Sequence, residues 1–191
     1  MTLGFYFNQS ACSGCRACQT ACKDRNNLMV GQLYRKVTTY QTGSYPNASV
    51  YHFAATCNHC ENPACVANCP TGAMYKDSET GLVLHNDDAC IGCSTCVNSC
   101  PYQVPILLED KGIANKCDGC KGFVDAGMNP VCVDACNMRC VDFGELDDLR
   151  AKYGDDLVTA IPCHADGGTE PNTLITPKEA ALQESFSEVL W

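Results

Sequence analysis

Cys90-Ile-Gly-Cys93-Ser-Thr-Cys96-Val-Asn-Ser-Cys100-Pro101 carries three cysteines at steps of three, a fourth after three further residues, and then a proline. This is the C-x2-C-x2-C-x3-C-P spacing of bacterial ferredoxins. Three closely spaced thiolates wrap one face of an iron–sulfur cube, and the fourth is carried away to a second cube. Pro101 stops the backbone from continuing as helix and removes a donor there.

A run of this kind calls for a partner, and the chain supplies three more. Group one is Cys12, Cys15, Cys18 and Cys22, with Lys23 in the proline position. Group two is Cys57, Cys60, Cys65 and Cys69, followed by Pro70, with a widened middle gap. Group three is the quoted run. Group four is Cys117, Cys120, Cys132 and Cys136, with a long middle gap and Asn137 where a proline would stand. The repetition of this unit is the organising fact of the chain.

Cysteine makes up 18 of the 191 residues, and without it the 46% apolar fraction drops to a level low for a chain that must bury a core. Bound clusters rather than side chains are expected to fill much of the interior. A disulfide scaffold needs an oxidising compartment. The N-terminal residues Met1 to Asn8 contain no basic region, apolar region or twin arginine, so no export signal of the chain's own is expected. Structural zinc has no use for the third cysteine of a C-x2-C-x2-C run. Soft thiolate sets of this density select iron–sulfur centres. The net charge of −9 offers no basic patch for phosphates, so nucleic acid is not an expected partner. No stretch approaches the length of a membrane-spanning helix.

The fourth cysteine of each run binds the other run's cluster in two-cluster ferredoxins. Groups two and three are joined by a ferredoxin-like strand–turn–strand, with Leu82 to Leu84 as one strand, and therefore pair. Groups one and four then pair around them. The expected sets are Cys12, Cys15, Cys18 and Cys136 at site one; Cys22, Cys117, Cys120 and Cys132 at site two; Cys57, Cys60, Cys65 and Cys100 at site three; and Cys69, Cys90, Cys93 and Cys96 at site four. Iron is bound through these cysteines alone. Cys140 repeats the x3 spacing and rivals Cys136, while Cys163 is left over. His59 and His164 are placed either for packing or, in the case of His59, beside a cluster sulfur.

The fold expected is α+β: two nested ferredoxin-like modules with short strands and helices and many loops. One module comprises 1–22 with 101–154; the other is 23–100, with an inserted hairpin between residues 33–40 and 50–53. Residues 155–191 read as an extended tail. A strand over 3–7, a strand over 141–144 that pairs with it, a helical turn within 119–126 and a short helix from Leu146 to Tyr153 complete the reading. Residues 101–116 read as a loop punctuated by Pro105 and Gly112.

The sequence resembles the iron–sulfur subunits of the dimethyl sulfoxide reductase family. Cys57-Asn-His-Cys-Glu-Asn-Pro-Ala-Cys65, Cys69-Pro-Thr-Gly-Ala-Met74, Cys90-Ile-Gly-Cys93 and Lys116-Cys-Asp-Gly-Cys120 carry the resemblance. So do Val141-Asp-Phe-Gly144, Asp148-Leu-Arg-Ala-Lys-Tyr-Gly154 and Glu170-Pro-Asn172. Relatives serving nitrate reductase carry tryptophan for one cysteine of group three; Cys93 here implies a fourth [4Fe-4S] rather than a [3Fe-4S] cluster. Asn137 and Cys140 depart from the family's proline and alanine.

The resemblance implies a molybdopterin-containing catalytic partner and, in many members, a membrane anchor handling menaquinol. Sites one and two would lie toward the catalytic subunit, and sites three and four toward the anchor, with Pro70, Thr71 and Thr95 near that second contact. Location would be cytoplasmic, or at the extracytoplasmic face of the membrane if the partner carries a twin-arginine signal. The sequence offers no nucleophile–base pair and no phosphate loop, so the expected role is electron transfer without a catalytic site. A free soluble poly-ferredoxin shuttle and a redox sensor are the other classes consistent with the cysteines.

Overall fold

The computed structural model describes residues 1–189. In chain order the elements are β1 (Leu3–Asn8), α1 (Ala17–Arg25), β2 (Lys36–Thr42), β3 (Ser49–Ala55), α2 (Ala64–Ala67), β4 (Met74–Lys76), β5 (Val83–His85), α3 (Thr95–Ser99), β6 (Ile106–Leu108), β7 (Ile113–Asn115), α4 (Lys121–Asp125), α5 (Val131–Asp134), β8 (Val141–Glu145), α6 (Leu146–Tyr153), β9 (Thr173–Thr176) and β10 (Ser187–Glu188). Short 3-10 turns cover Asp87–Ala89 and Glu179–Leu182.

β1 is buried on both faces because its sequence, Leu-Gly-Phe-Tyr-Phe, has no polar alternation. It pairs antiparallel with β8, Phe5 opposite Phe143, and parallel with β9, Phe5 opposite Thr173. The Phe5 and Phe143 rings lie 4.8 Å apart, and Phe7 meets Phe53 of β3 edge-on at 5.7 Å. On the other face the rings of Tyr6 and Tyr153 stack at 3.6 Å, which seats α6 on the sheet. Gly4 is required there: a Cβ would stand 2.1 Å from the carbonyl oxygen of Asn172.

The expected hairpin is β2–β3, shifted by a few residues and paired from Lys36↔Ala55 to Thr42↔Ser49. β4 and β5 form the ferredoxin connection, Met74↔His85 to Lys76↔Val83. Residues 101–116 are not all loop. β6 and β7 form a second three-residue ladder, Ile106↔Asn115 to Leu108↔Ile113, closed at Gly112. The turn residues Asp110-Lys-Gly112 and the shortness of both strands hide it in the sequence.

The C-terminal segment is extended, and it is built into the body. Leu174 and Ile175 of β9 are fully buried. β10 extends the hairpin sheet, with Ser187 opposite Gln41. A four-residue strand has too few positions to show alternation, and its place is set by a partner at the far end of the chain. Among the described residues no helix is long and apolar enough to cross a membrane.

Candidate iron–sulfur sites

The cysteine loops share one backbone device. Gly14, Gly92 and Gly119, each immediately before the second cysteine of its group, have φ of +70°, +66° and +67°. In group two His59 occupies that position with φ +44°. A left-handed residue here folds the loop back on itself, so that successive N–H groups face the enclosed space, a geometry that receives anions. The strain at His59 is held by packing and bonds. The ring is fully buried, its Nδ1 accepts from the Val83 N–H at 3.0 Å, and its carbonyl accepts from Asn172 Nδ2 at 2.9 Å. Nδ1 as acceptor puts the ring proton on Nε2, and burial holds the imidazole neutral.

Short helices then present the later cysteines. α1 carries Cys18 and Cys22, and α3 carries Cys96. The widened gaps of groups two and four end in the same way. Pro63 and Pro130 each open a one-turn helix, α2 with Cys65 and α5 with Cys132, and both thiols are buried. Proline suits a helix start because its missing N–H would have no partner there.

Three partly open cavities of similar size are lined by thiols. Cys57, Cys60, Cys65 and Cys100 surround one of about 350 Å³. Cys69, Cys90, Cys93 and Cys96 surround one of about 280 Å³. Cys12, Cys15, Cys18 and Cys136 line one of about 320 Å³, with Cys140 as a fifth thiol in its wall. Each set mixes two cysteine groups. The remaining four crowd together as well: Cys132 and Cys120 act electrostatically on Cys22, Cys22 on Cys117, and Cys132 on Cys120.

Burial pushes up eight of these sixteen thiols. Cys22 and Cys65 are pushed up to about 12, Cys60 to about 11, and Cys117 well above its ordinary value. A buried thiolate therefore needs a positive group to hold it, and bound iron is such a group. Among the described residues no three His, Cys, Asp or Glu are arranged for a single metal ion. Thiols from two cysteine groups converging on one cavity are the donor set a cubane cluster uses.

Donors already face several sulfurs. Thr169 Oγ1 donates to Cys60 Sγ at 3.2 Å, the Gly119 N–H to Cys117 Sγ at 3.4 Å, and the Met74 N–H to Cys69 Sγ at 3.5 Å. The Cys140 N–H donates to Cys136 Sγ at 3.3 Å, and the two sulfurs are 3.4 Å apart. Cys136 is thus solvated by donors as a ligand thiolate would be, with Cys140 standing behind it. Cys163 lines a separate groove beside Tyr102 and His164. The ring of His164 bonds Asn58 at 3.0 Å and stays neutral in its buried site.

The thiol sets follow one another in space. Cys132 acts on Cys18, and Cys57 acts on Cys117. Cys65 and Cys96 share a small apolar cluster with Met74, Val83 and Ala114. Cys15 and Cys93 are exposed, at the two ends of this series, whereas Cys22, Cys117, Cys120 and Cys132 are buried within it. Sequence reasoning missed the donors. Thr169 lies far from every cysteine group in the chain, and although Glu170-Pro-Asn172 beside it carries the resemblance, nothing there points to a sulfur donor.

The sequence matches known iron–sulfur families and proteins. The 4Fe-4S dicluster domain family matches residues 48–146, and a 4Fe-4S binding domain matches residues 9–31. The protein is similar to the B subunit of the anaerobic dimethyl sulfoxide reductase of Haemophilus influenzae, 40% identical over 187 residues, 93% of this sequence and 90% of that one. It is 41% identical over 182 residues to the corresponding B subunit of Escherichia coli K12, covering 91% of this sequence and 88% of the relative. Protein NrfC of Escherichia coli K12 is 37% identical over 156 residues, 81% of this sequence and 70% of its own.

Proposed function

The protein belongs to the family of iron–sulfur B subunits of dimethyl sulfoxide reductases and is an electron-transfer subunit of that type, and from there we propose that it carries four [4Fe-4S] clusters in series between a quinol-side donor and a molybdopterin catalytic subunit. Site one takes Cys12, Cys15, Cys18 and Cys136; site two Cys22, Cys117, Cys120 and Cys132; site three Cys57, Cys60, Cys65 and Cys100; site four Cys69, Cys90, Cys93 and Cys96. The single observation that carries the assignment is the crossing of groups: Cys100 lies with Cys57, Cys60 and Cys65, and Cys69 with Cys90, Cys93 and Cys96. With this assignment the chain is read as two nested modules, 1–22 with 101–154 and 23–100.

A bound cluster supplies a one-electron donor and acceptor. The chain's own residues do the rest. They fix the spacing of the sites, exclude water from sites two and three, and aim N–H and O–H donors at sulfur. Cys93 and its neighbour Ile91 form an accessible face, since Cys93 is exposed and Ile91 is 66% exposed. Pro70 and Thr71 line the same cavity. This is the face we assign to the donor side, with the Cys15 end toward the catalytic subunit. The protein would take its location from that partner.

Cys93→Ser tests the order. It should lose or convert one cluster and spare the others, abolish quinol-driven turnover, and leave turnover with a small artificial donor to the catalytic subunit intact. Unimpaired quinol oxidation would overturn the order. So would loss of the same electron paramagnetic resonance signal in Cys93→Ser and Cys15→Ser.

A further inference from the structure

Among the described residues, two cations lie inside the protein without a carboxylate partner. Arg35 is 2% exposed, and among the described residues no carboxylate pairs with it. Its Nη1 donates to the Ala54 carbonyl at 3.0 Å, and the Phe5 ring covers the guanidinium at 4.8 Å. Nε and Nη2 are buried and have no partner. An arginine left this way is costly, because a buried charge and each unmade hydrogen bond forfeit their hydration. The groups that act on it most strongly by charge are thiols: Cys132, Cys18, Cys117 and Cys22, in that order. Three of these belong to site two and one, Cys18, to site one.

Lys116 repeats the pattern one step along. It is 2% exposed, and its Nζ donates to the carbonyl oxygens of Val83 and Cys117, the latter at 2.9 Å. An ammonium has three donors, so one remains. The residue lines the site-three cavity beside Cys57, Cys60, Cys65 and Cys100 while adjoining Cys117 of site two. No lysine or arginine lines the cavity of site four.

We propose that Arg35 and Lys116 are the fixed counter-charges of the bound clusters, Arg35 donating through Nε and Nη2 to sulfur at the junction of sites one and two, and Lys116 doing the same at the junction of sites two and three. The inference rests on the ligand assignment proposed above. A thiolate-ligated cluster is anionic and gains a further negative charge on reduction, so a cation held beside it in a low-dielectric interior favours the reduced form. Both residues are therefore positioning residues that raise the potentials of sites one to three. The anionic clusters in turn balance the two charges and make their burial tolerable.

The test is a potentiometric titration of the cluster-loaded protein followed by electron paramagnetic resonance, with signals assigned through Cys15→Ser and Cys120→Ser. Arg35→Gln should lower the reduction equilibrium at sites one and two at least tenfold, 59 mV for a one-electron couple, and leave site four unmoved. Arg35→Lys should recover most of the shift. Lys116→Met should move sites two and three instead. Loss of the clusters at sites one and two in Arg35→Gln, with retention in Arg35→Lys, supports the same role. Unchanged potentials in both Arg35→Gln and Lys116→Met overturn it. So does an equal shift at all sites, or an Arg35→Lys protein as defective as Arg35→Gln. Failure of the ligand assignment would leave a different mark, an iron content that falls short in the unsubstituted protein.

Discussion

Thr169 Oγ1 donates to Cys60 Sγ at 3.2 Å across 109 residues of chain. The contact is part of a seam between the C-terminal segment and the second cysteine loop. The Glu61 N–H bonds the Glu170 carbonyl at 2.8 Å, the Asn62 N–H bonds the Thr169 carbonyl at 3.1 Å, and the Asn172 N–H bonds the Asn58 carbonyl at 2.9 Å. The last part of the chain thus closes the loop that holds site three and supplies one of its sulfur donors.

Thr169→Val keeps the shape and removes that donor. A hydrogen bond to a ligand sulfur stabilises the more negative, reduced state, so its loss should make site three harder to reduce. One bond of about 0.5–1.5 kcal/mol corresponds to a few tens of millivolts. A redox titration of the variant should show one potential lowered by about that much and the others in place.

Asp142 ties α6 to β8. Its carboxylate accepts from Lys152 Nζ at 2.8 Å and Tyr153 Oη at 2.7 Å. Burial alone would raise its pKa, but these two donors outweigh it and hold the group below the ordinary carboxylate value. Its stabilising contribution is therefore complete above the unfolded value of about 3.9 and is lost as pH falls through the lower folded value. Asp142→Asn should cost about 1 kcal/mol near neutral pH and progressively less on acidification below about pH 4. Denaturant titrations at pH 7 and in the acid range would show the difference closing.

Gly92 and Gly127 provide a paired test of the cysteine-loop geometry. Both have positive φ, but a Cβ at Gly92 would stand 2.4 Å from the Gly112 carbonyl oxygen, whereas nothing lies within 4 Å at Gly127. Gly127→Ala should cost only the left-handed penalty of about 1–2 kcal/mol. Gly92→Ala should cost more and also weaken or abolish the site-four signal, because the loop that carries Cys90 and Cys93 must shift.

Removing the clusters should remove the fold. The largest buried cluster of side chains includes Cys18, Cys22, Cys57, Cys117, Cys132, Cys136 and Cys140 among its aromatic and aliphatic members. Without iron these thiols line cavities instead of packing. Chelated, cluster-free protein should lose its near-ultraviolet tertiary signal and become protease-sensitive. A compact form with a cooperative unfolding transition would show that the side chains suffice.

What could be read from the sequence was whatever has a local signature. The cysteine spacings mark their own loops, and the aromatic run of β1 and the Leu146–Leu149–Tyr153 face of α6 are visible in a few consecutive residues. The structure pairs β1 with β8, the strands flanking groups one and four. What escaped depends on distant partners. β9 is four residues whose place comes from parallel pairing with β1. The β6–β7 ladder has three pairs and turn-rich flanks. His59 in the left-handed region contradicts local preference and is held there by Val83 and Asn172. Arg35 stands at the start of the hairpin, and nothing beside it in the sequence marks it. Only the packed structure reveals that its charge is buried and unpaired.

All but two of the 18 cysteines are assigned here to iron in four cubes. Quantitative iron and acid-labile sulfide analysis of anaerobically purified protein tests that assignment most directly. Four cubes require about sixteen iron and about sixteen sulfide per chain. About twelve of each, or zinc in place of iron, would contradict it.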